Sequence, residues 1–210
     1  MKLIWDWNGT LLNDVELGIW IINHMLGERQ LPLLSPRRYK EIMGFPIIDY
    51  YRQAGFGPIT EAEYQPLANE YMDLYREHWR SCALYPGVRE FLDDARWEHT
   101  LLTASWTRDV MTQLDHYGLT DRFALITSAD DHFARGKVQQ GREHLRQLGT
   151  SPREALMIGD TIHDAQVARE MGCPCVLLDH GHQSRERLLA TGCPVVHDLQ
   201  ELRREIGEGV

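Results

Sequence analysis

Lysine is scarce in this 210-residue chain: Lys2, Lys40 and Lys137 are the only three, and arginine carries nearly all of the positive charge. Acidic residues outnumber basic ones 31 to 22, for a formal net charge of −9. That balance excludes the clustered basic surface that a phosphate backbone requires, so no nucleic-acid partner is expected. The four cysteines (Cys82, Cys173, Cys175 and Cys193) form no C-x-x-C pair, which argues against a zinc site. Cys173 and Cys175 flank Pro174 at the start of an apolar run and read as small buried hydrophobes. No apolar run approaches the roughly 18 residues of a membrane span. Met1-Lys2 leads straight into strand-like residues without a signal-peptide pattern. A cytoplasmic protein with no membrane partner is expected. Internal repeats and low-complexity segments are also missing.

What is present is an ordinary globular composition, 43% apolar and 25% charged. The length suits one well-buried domain plus a modest insertion. The organising stretch is Lys2-Leu-Ile-Trp-Asp-Trp-Asn-Gly-Thr-Leu-Leu12, in which a short apolar run delivers Asp6 onto a turn containing Gly9 and Thr10. In open α/β sheets ligands sit outside the carboxyl ends of the strands, so Asp6 is the candidate nucleophile.

Asn13 is placed to cap a helix carrying Val15, Ile19, Ile22 and Leu26 at helical spacing. Short helices follow after Ser35-Pro36 and from Ile47 to Gln53. Thr60 and Glu63 form a capping-box pattern that opens a longer helix to about Ser81, with Leu67, Tyr71 and Leu74 on one face. Residues 14–82 thus read as helical. The aromatic residues of this stretch, Trp20, Tyr71, Tyr75 and Trp79, fall at core spacing. After Tyr85-Pro-Gly87 strands alternate with helices: strands at Thr100–Thr103, Phe123–Thr127, Ala155–Ile158, Cys175–Leu178 and Pro194–Val196, helices at Arg108–Tyr117, Gly136–Leu148 and Ile162–Met171. Such alternation implies a doubly wound parallel sheet covered on both faces, interrupted after its first strand. The expected domains are a core of residues 1–13 and 83–210 and a helical insertion of residues 14–82.

A second strand-end acid, Asp160, follows Gly159, and Asp164 lies one helical turn further on. Should the strands of Asp6 and Asp160 be neighbours, like-charged pairs at ~4 Å would cost several kcal/mol at an effective dielectric near 20. A divalent cation resolves that, and an all-oxygen donor set suits Mg²⁺. Lys137, near a helix start, is a point charge for a carboxylate or phosphate. Thr103-Ala104-Ser105 at a strand end offers hydroxyls and backbone N–H groups for phosphate oxygens.

These four pieces, in this order, resemble the motif set of the haloacid dehalogenase superfamily, and the resemblance covers essentially the whole chain. It implies that Asp6 attacks a phosphoryl group to form an aspartyl-phosphate. It also implies Mg²⁺ on Asp6, the backbone carbonyl of Asn8, and Asp160, with Asp164 close by, while Thr103 and Lys137 hold the transferring group. The insertion is similar to the small helical cap of phosphoglycolate-phosphatase-type members, with Gly44-Phe45-Pro46 as a substrate-facing loop. The substrate so implied is a small phosphorylated metabolite; nothing in the sequence sets the oligomeric state.

One departure stands out. Family phosphatases carry a second Asp two residues after the nucleophile as general acid and base, and here that residue is Asn8. Losing such a group typically costs about 10²–10⁴-fold, so Asn8→Asp is expected to raise activity by an order of magnitude or more. His163, His180 and His182 are alternative proton donors. The second reading is a phosphate-ligand-binding protein that has lost its chemistry; phosphonatase chemistry is disfavoured because Lys40 lies on the wrong side of Met43-Gly44, and dehalogenase chemistry because dehalogenases carry an aromatic residue where Asn8 stands.

Overall fold

The structure is a computed structural model and describes residues 1–129 and 137–208. Strand β1 (Lys2–Trp5) leads into a short pair formed by β2 (Leu12–Asn13) and β3 (Ala83–Leu84), between which helices α1 (Val15–Glu28), α2 (Pro36–Ile42), α3 (Ile47–Tyr51) and α4 (Glu61–His78) are inserted. The chain continues through α5 (Val88–Leu92), β4 (Glu98–Trp106), α6 (Thr107–Tyr117), β5 (Ile126–Ala129) and α7 (Lys137–Leu148). It closes with β6 (Ala155–Gly159), α8 (Ile162–Met171), β7 (Cys175–Leu178), α9 (Arg185–Leu189), β8 (Val195–Val196) and α10 (Leu199–Glu208).

Six strands make one parallel sheet in the order β5-β4-β1-β6-β7-β8. β1 is central, which is why Leu3, Ile4 and Trp5 form an unbroken apolar run: all three are fully buried. Their alternation sends Leu3 and Trp5 to the layer packed by α5, α6 and α10, and Ile4 to the layer packed by α7, α8 and α9. The expected doubly wound architecture is therefore present. From β1 the chain winds outward through β4 and β5, then crosses to β6 and winds the other way. The order reverses between β1 and β6, so the crevice where ligands collect in such folds lies at their carboxyl ends.

Helices α1 to α4 build a separate apolar cluster around Ile21, Ile22, Met25, Tyr39, Tyr51 and Trp79. Thr60 and Glu63 form the capping box expected at the start of α4. The cluster rests on the sheet's carboxyl edge through polar contacts from α2 and the loop after it. Tyr39 bonds His182, Lys40 donates to the His180 carbonyl, and Gln183 and Arg187 donate to the Met43 carbonyl.

Several local expectations need correction. Asn13 does not cap α1: it pairs with Ala83 and is exposed, and the residue before the helix is Asp14, whose carboxylate turns away toward the site. Trp20 is 44% exposed and stacks on His24, so helical spacing alone misplaced it. The fifth strand begins at Ile126 rather than Phe123, although the Ala124 N–H and Leu125 carbonyl already bond to β4. α7 is described from Lys137; Gly136 lies outside the described residues.

Candidate active site

β1 and β6 run side by side in register, with Trp5 opposite Ile158. Two residues that lie 154 positions apart in the chain, Asp6 and Asp160, thereby leave neighbouring strand ends. Asp6, Asp160 and Asp164 are all buried, and each offers an oxygen within 4.8 Å of the others. Thr10 donates to Asp160 Oδ1 at 3.0 Å and lies 3.5 Å from Asp6 Oδ2. The Gly9-Thr10 turn brings this hydroxyl back over the acids, and Gly9 sits at φ +71° in the left-handed region that favours glycine. A methyl on Gly9 or Gly181 would overlap the Asp160 carboxylate, and one on Gly159 would overlap Asp164. Gly181→Ala is expected to displace Asp160 and, on the phosphatase expectation from the sequence, to lower turnover by about 10²-fold, the cost of an ångström-scale misplacement. The check is activity beside an unchanged circular dichroism spectrum.

Lys137 is 3% exposed and bridges two of the acids, at 2.5 Å from Asp6 Oδ1 and 2.6 Å from Asp164 Oδ1. It is no solvated surface lysine. Burial opposes its charge, but Asp164 and Asp6 outweigh burial and hold its pKa above the ordinary value. Asp164 uses its other oxygen to close a capping box with Thr161. Burial pushes its carboxyl up, yet Lys137 prevails and keeps it below the usual range. Asp6 and Asp160 move the other way. Burial raises Asp6 to about 7 against the opposing pull of Lys137, with Asp164 and Asp160 adding to the rise. Burial raises Asp160 to about 6 although His182 opposes it. One ammonium thus faces three carboxylates.

Asn8 occupies a closed network. Its Nδ2 donates to Asp14 Oδ2 and to the Tyr75 hydroxyl, each at 2.7 Å, while its Oδ1 accepts from Ser105 Oγ at 2.6 Å. An ionised Asp14 only accepts, so the amide nitrogen must face it. The Tyr75 hydroxyl and the Gly9 N–H donate to Asp14 as well, and His182 Nε2 lies 3.2 Å from its Oδ1. Burial works against the Asp14 charge, but His182 and these donors hold its carboxyl below the usual range.

Every hydrogen-bonding atom of the Asn8 amide is therefore engaged within the protein. Asn8→Asp alone would set two carboxyls 2.7 Å apart, so the gain expected from the sequence shrinks to less than about tenfold. Pairing it with Asp14→Asn restores a donor opposite position 8. The double variant is expected to exceed the parent by about 10²-fold, the low end of a restored general acid. Comparing kcat for the four proteins tests it; equal rates for the single and double variants would refute the coupling.

The remaining sequence candidates are distributed unevenly. Thr103, Ala104 and Ser105 all line the cavity, but the Ser105 N–H donates to Thr103 Oγ1 and its hydroxyl to Asn8. Thr103 keeps its own proton to donate. Gly44 does not line the cavity; its flanking residues Met43 and Phe45 do, while Gly44 itself lies against Arg187 and Gln183. Of the histidines, His163 lies on the Phe45 ring, centroids 4.5 Å apart, and His180 stacks on Tyr85. His182 spans Asp14 and Tyr39. Asp14, Thr10, Tyr75 and Gly181 were not singled out from sequence. Tyr75 read as packing and is instead a hydrogen-bonding member of the site. The acids, Lys137, Asp14 and Tyr75 open onto a cavity of about 200 Å³ whose other walls include α3, α4 and the loop after α2.

A protein-family model described as haloacid dehalogenase-like hydrolase matches residues 3–178. A phosphoglycolate phosphatase of Chromobacterium violaceum is 27% identical over 195 residues, covering 87% of this chain and 86% of the relative. The tyrosine-protein kinase PtkA of Mycobacterium tuberculosis is 26% identical over 212 residues, covering 98% of this chain and 72% of the relative. Among solved structures, a haloacid dehalogenase-like family hydrolase from Streptococcus pneumoniae superposes with a TM-score of 0.82 at 19% identity, covering 98% of this chain and 97% of that one. That likeness shows the shared fold.

Proposed function

Because this chain belongs to the haloacid dehalogenase-like hydrolase family, we propose that it is a Mg²⁺-dependent phosphatase that acts on a small phosphorylated metabolite, with Asp6 as nucleophile. The observation that carries this reading is the buried triad Asp6, Asp160 and Asp164 arranged around Lys137. Residues 1–13 and 83–208 form the domain that carries the chemistry, and residues 14–82 form its cap.

The donor set fits a hard divalent cation. It is all oxygen and buried, and its two uncompensated negative charges need a counter-charge. Asp6, Asp160 and the backbone carbonyl of Asn8 would hold the ion, with Asp164 beside it. When bound, it supplies charge neutralisation at the phosphoryl oxygens. The protein's own groups do the rest. Asp6 attacks phosphorus through a carboxylate oxygen as the bond to the leaving oxygen breaks; the leaving oxygen takes its proton from solvent, and water then hydrolyses the aspartyl-phosphate to return the Asp6 carboxylate and release phosphate. Lys137 orients the Asp6 carboxylate and favours its ionised form against burial, while its charge offsets the phosphoryl group. The Thr103 hydroxyl donates to a phosphoryl oxygen. Most of the acceleration in such transfers comes from positioning and charge compensation of this kind.

With Asn8 committed to Asp14, Tyr75 and Ser105, an ester that departs without protonation is the best probe. p-Nitrophenyl phosphate is expected to turn over with Mg²⁺ and not with EDTA. No turnover of any phosphate ester would favour the ligand-binding alternative.

Metal binding also leaves a pH signature. Raised carboxyl pKa values mean that Asp6 and Asp160 contribute stability below about pH 4, and that this contribution is lost as pH climbs through 6 to 7. Mg²⁺ requires the deprotonated forms and acts in the opposite sense. At a hundredfold excess over Kd, Mg²⁺ is expected to add about 2.7 kcal/mol at pH 8, a Tm rise of roughly 5–10 °C, and far less at pH 5. Equal shifts at the two pH values in thermal melts would contradict a site built on these acids.

A further inference from the structure

The cavity has two unlike halves. Its floor is the acid cluster with Lys137; its upper wall is apolar and aromatic, built by Phe45, Ile47, Tyr51, Tyr71, Met72 and Trp106. Among the described residues that line it there is no arginine, and Lys137 is the single lysine. That lysine is already shared between Asp6 and Asp164. Of the two histidines, His182 has one ring nitrogen on Tyr39 and the other near Asp14. His163 lies face-on to Phe45 and leaves a single buried nitrogen, Nε2, without a partner.

Charge balance then restricts what can sit above the phosphoryl group. Asp14 is already engaged by Asn8, Gly9, Tyr75 and His182, and one divalent cation would bring Asp6, Asp160, Asp164 and Lys137 to neutrality. A phosphate ester dianion then leaves the floor two negative charges in excess, so it has nothing to offer a further anion. Among the described residues, a carboxylate on the leaving group would meet an aromatic and aliphatic wall with no counter-charge, a placement that buried charges do not tolerate. Ring faces instead reward a flat apolar group, through burial and offset or edge-on stacking.

We propose that the substrates of this site are phosphomonoesters whose leaving group is uncharged and apolar, with an aromatic ring as the best fit, and that esters bearing a carboxylate are rejected. His163 Nε2 adds one hydrogen bond for a neutral hydroxyl or ether at the edge of that group. This inference rests on the phosphatase reading above, and it separates the chain's leaving-group preference from the substrate named in its phosphoglycolate phosphatase relatives.

Benzyl phosphate and 2-phosphoglycolate test it, because both are primary alkyl monoesters and differ in the group that meets the cap wall. With the full chain and Mg²⁺, kcat/KM for benzyl phosphate is expected to be about 10- to 100-fold higher, the worth of burying one aromatic ring, mostly through KM. Met72→Arg puts a cation on the wall and is expected to cut that ratio at least tenfold by improving phosphoglycolate; Ile47→Arg is the second variant should the first not fold. A kcat/KM for 2-phosphoglycolate equal to or above that for benzyl phosphate would overturn the substrate class and leave the phosphatase reading standing. No hydrolysis of either ester, or of p-nitrophenyl phosphate, would overturn both.

Discussion

Asp6→Asn is expected to abolish Mg²⁺-dependent ester hydrolysis, with kcat falling by on the order of 10⁴-fold or more, as when a covalent nucleophile is removed. The amide is nearly isosteric, so packing around Trp5, Thr10 and Lys137 should be preserved. The substitution should therefore separate chemistry from folding. Burial and the neighbouring acids disfavour the ionised form of Asp6, so removing that charge relieves the metal-free protein. In EDTA at pH 8 the variant is expected to melt at or above the parent temperature, the usual opposition between stability and a strained site. Substantial turnover in the variant would place the nucleophile elsewhere, and a much lower melting temperature would show that Asp6 is a structural acid.

Lys137→Met carries the second large effect, on stability as well as rate. The side chain is fully enclosed and holds Asp6 and Asp164 at once. Without it, three buried carboxylates share a site with no cation. Breaking a buried ion pair from one side typically costs 3–5 kcal/mol, and about that loss is expected in chemical denaturation without metal. Added Mg²⁺ should restore more stability to the variant than it adds to the parent, because it supplies the missing charge. Activity is expected to stay at least about 10²-fold down, since the ion cannot also replace the ammonium that offsets the phosphoryl group. Arginine should not substitute, as its broad planar head differs from a compact ammonium. A variant as stable as the parent in EDTA would mean that the acids protonate at no cost.

The parts of this arrangement legible in the sequence were those that local pattern encodes. Leu3-Ile4-Trp5 and Ala155–Ile158 are apolar runs ending in acids, and the sheet placed them side by side. The boundaries of α8 and β7 followed from the Gly159 turn and the Cys173-Pro174-Cys175 junction. Asp14 was opaque because its neighbour Asn13 looked like a helix cap and nothing local shows where a carboxylate eight residues after Asp6 will point. Its partners His182 and Tyr75 lie 168 and 61 residues away. Gly181 was hidden for the same reason: only the close approach of β7's outgoing loop to Asp160 reveals that a side chain there has no room. Trp20 erred in the opposite direction, since helical periodicity gives a face but not whether another element covers it.

The grip that α2 and its following loop exert on the loop after β7 is lopsided. Tyr39, Lys40 and Met43 carry polar links to His180, His182, Gln183 and Arg187, whereas the chain crossings are the two-residue strands β2 and β3, with Arg76 of α4 paired to Asp109 of α6. On the cap reading proposed above, such a lid would have its latch on the α2 side and its hinge at the chain crossings. It should release by unzipping from the α2 edge, exposing the aromatic wall before Tyr75 parts from Asp14. Product departure, timed by those few bonds, would then pace each cycle.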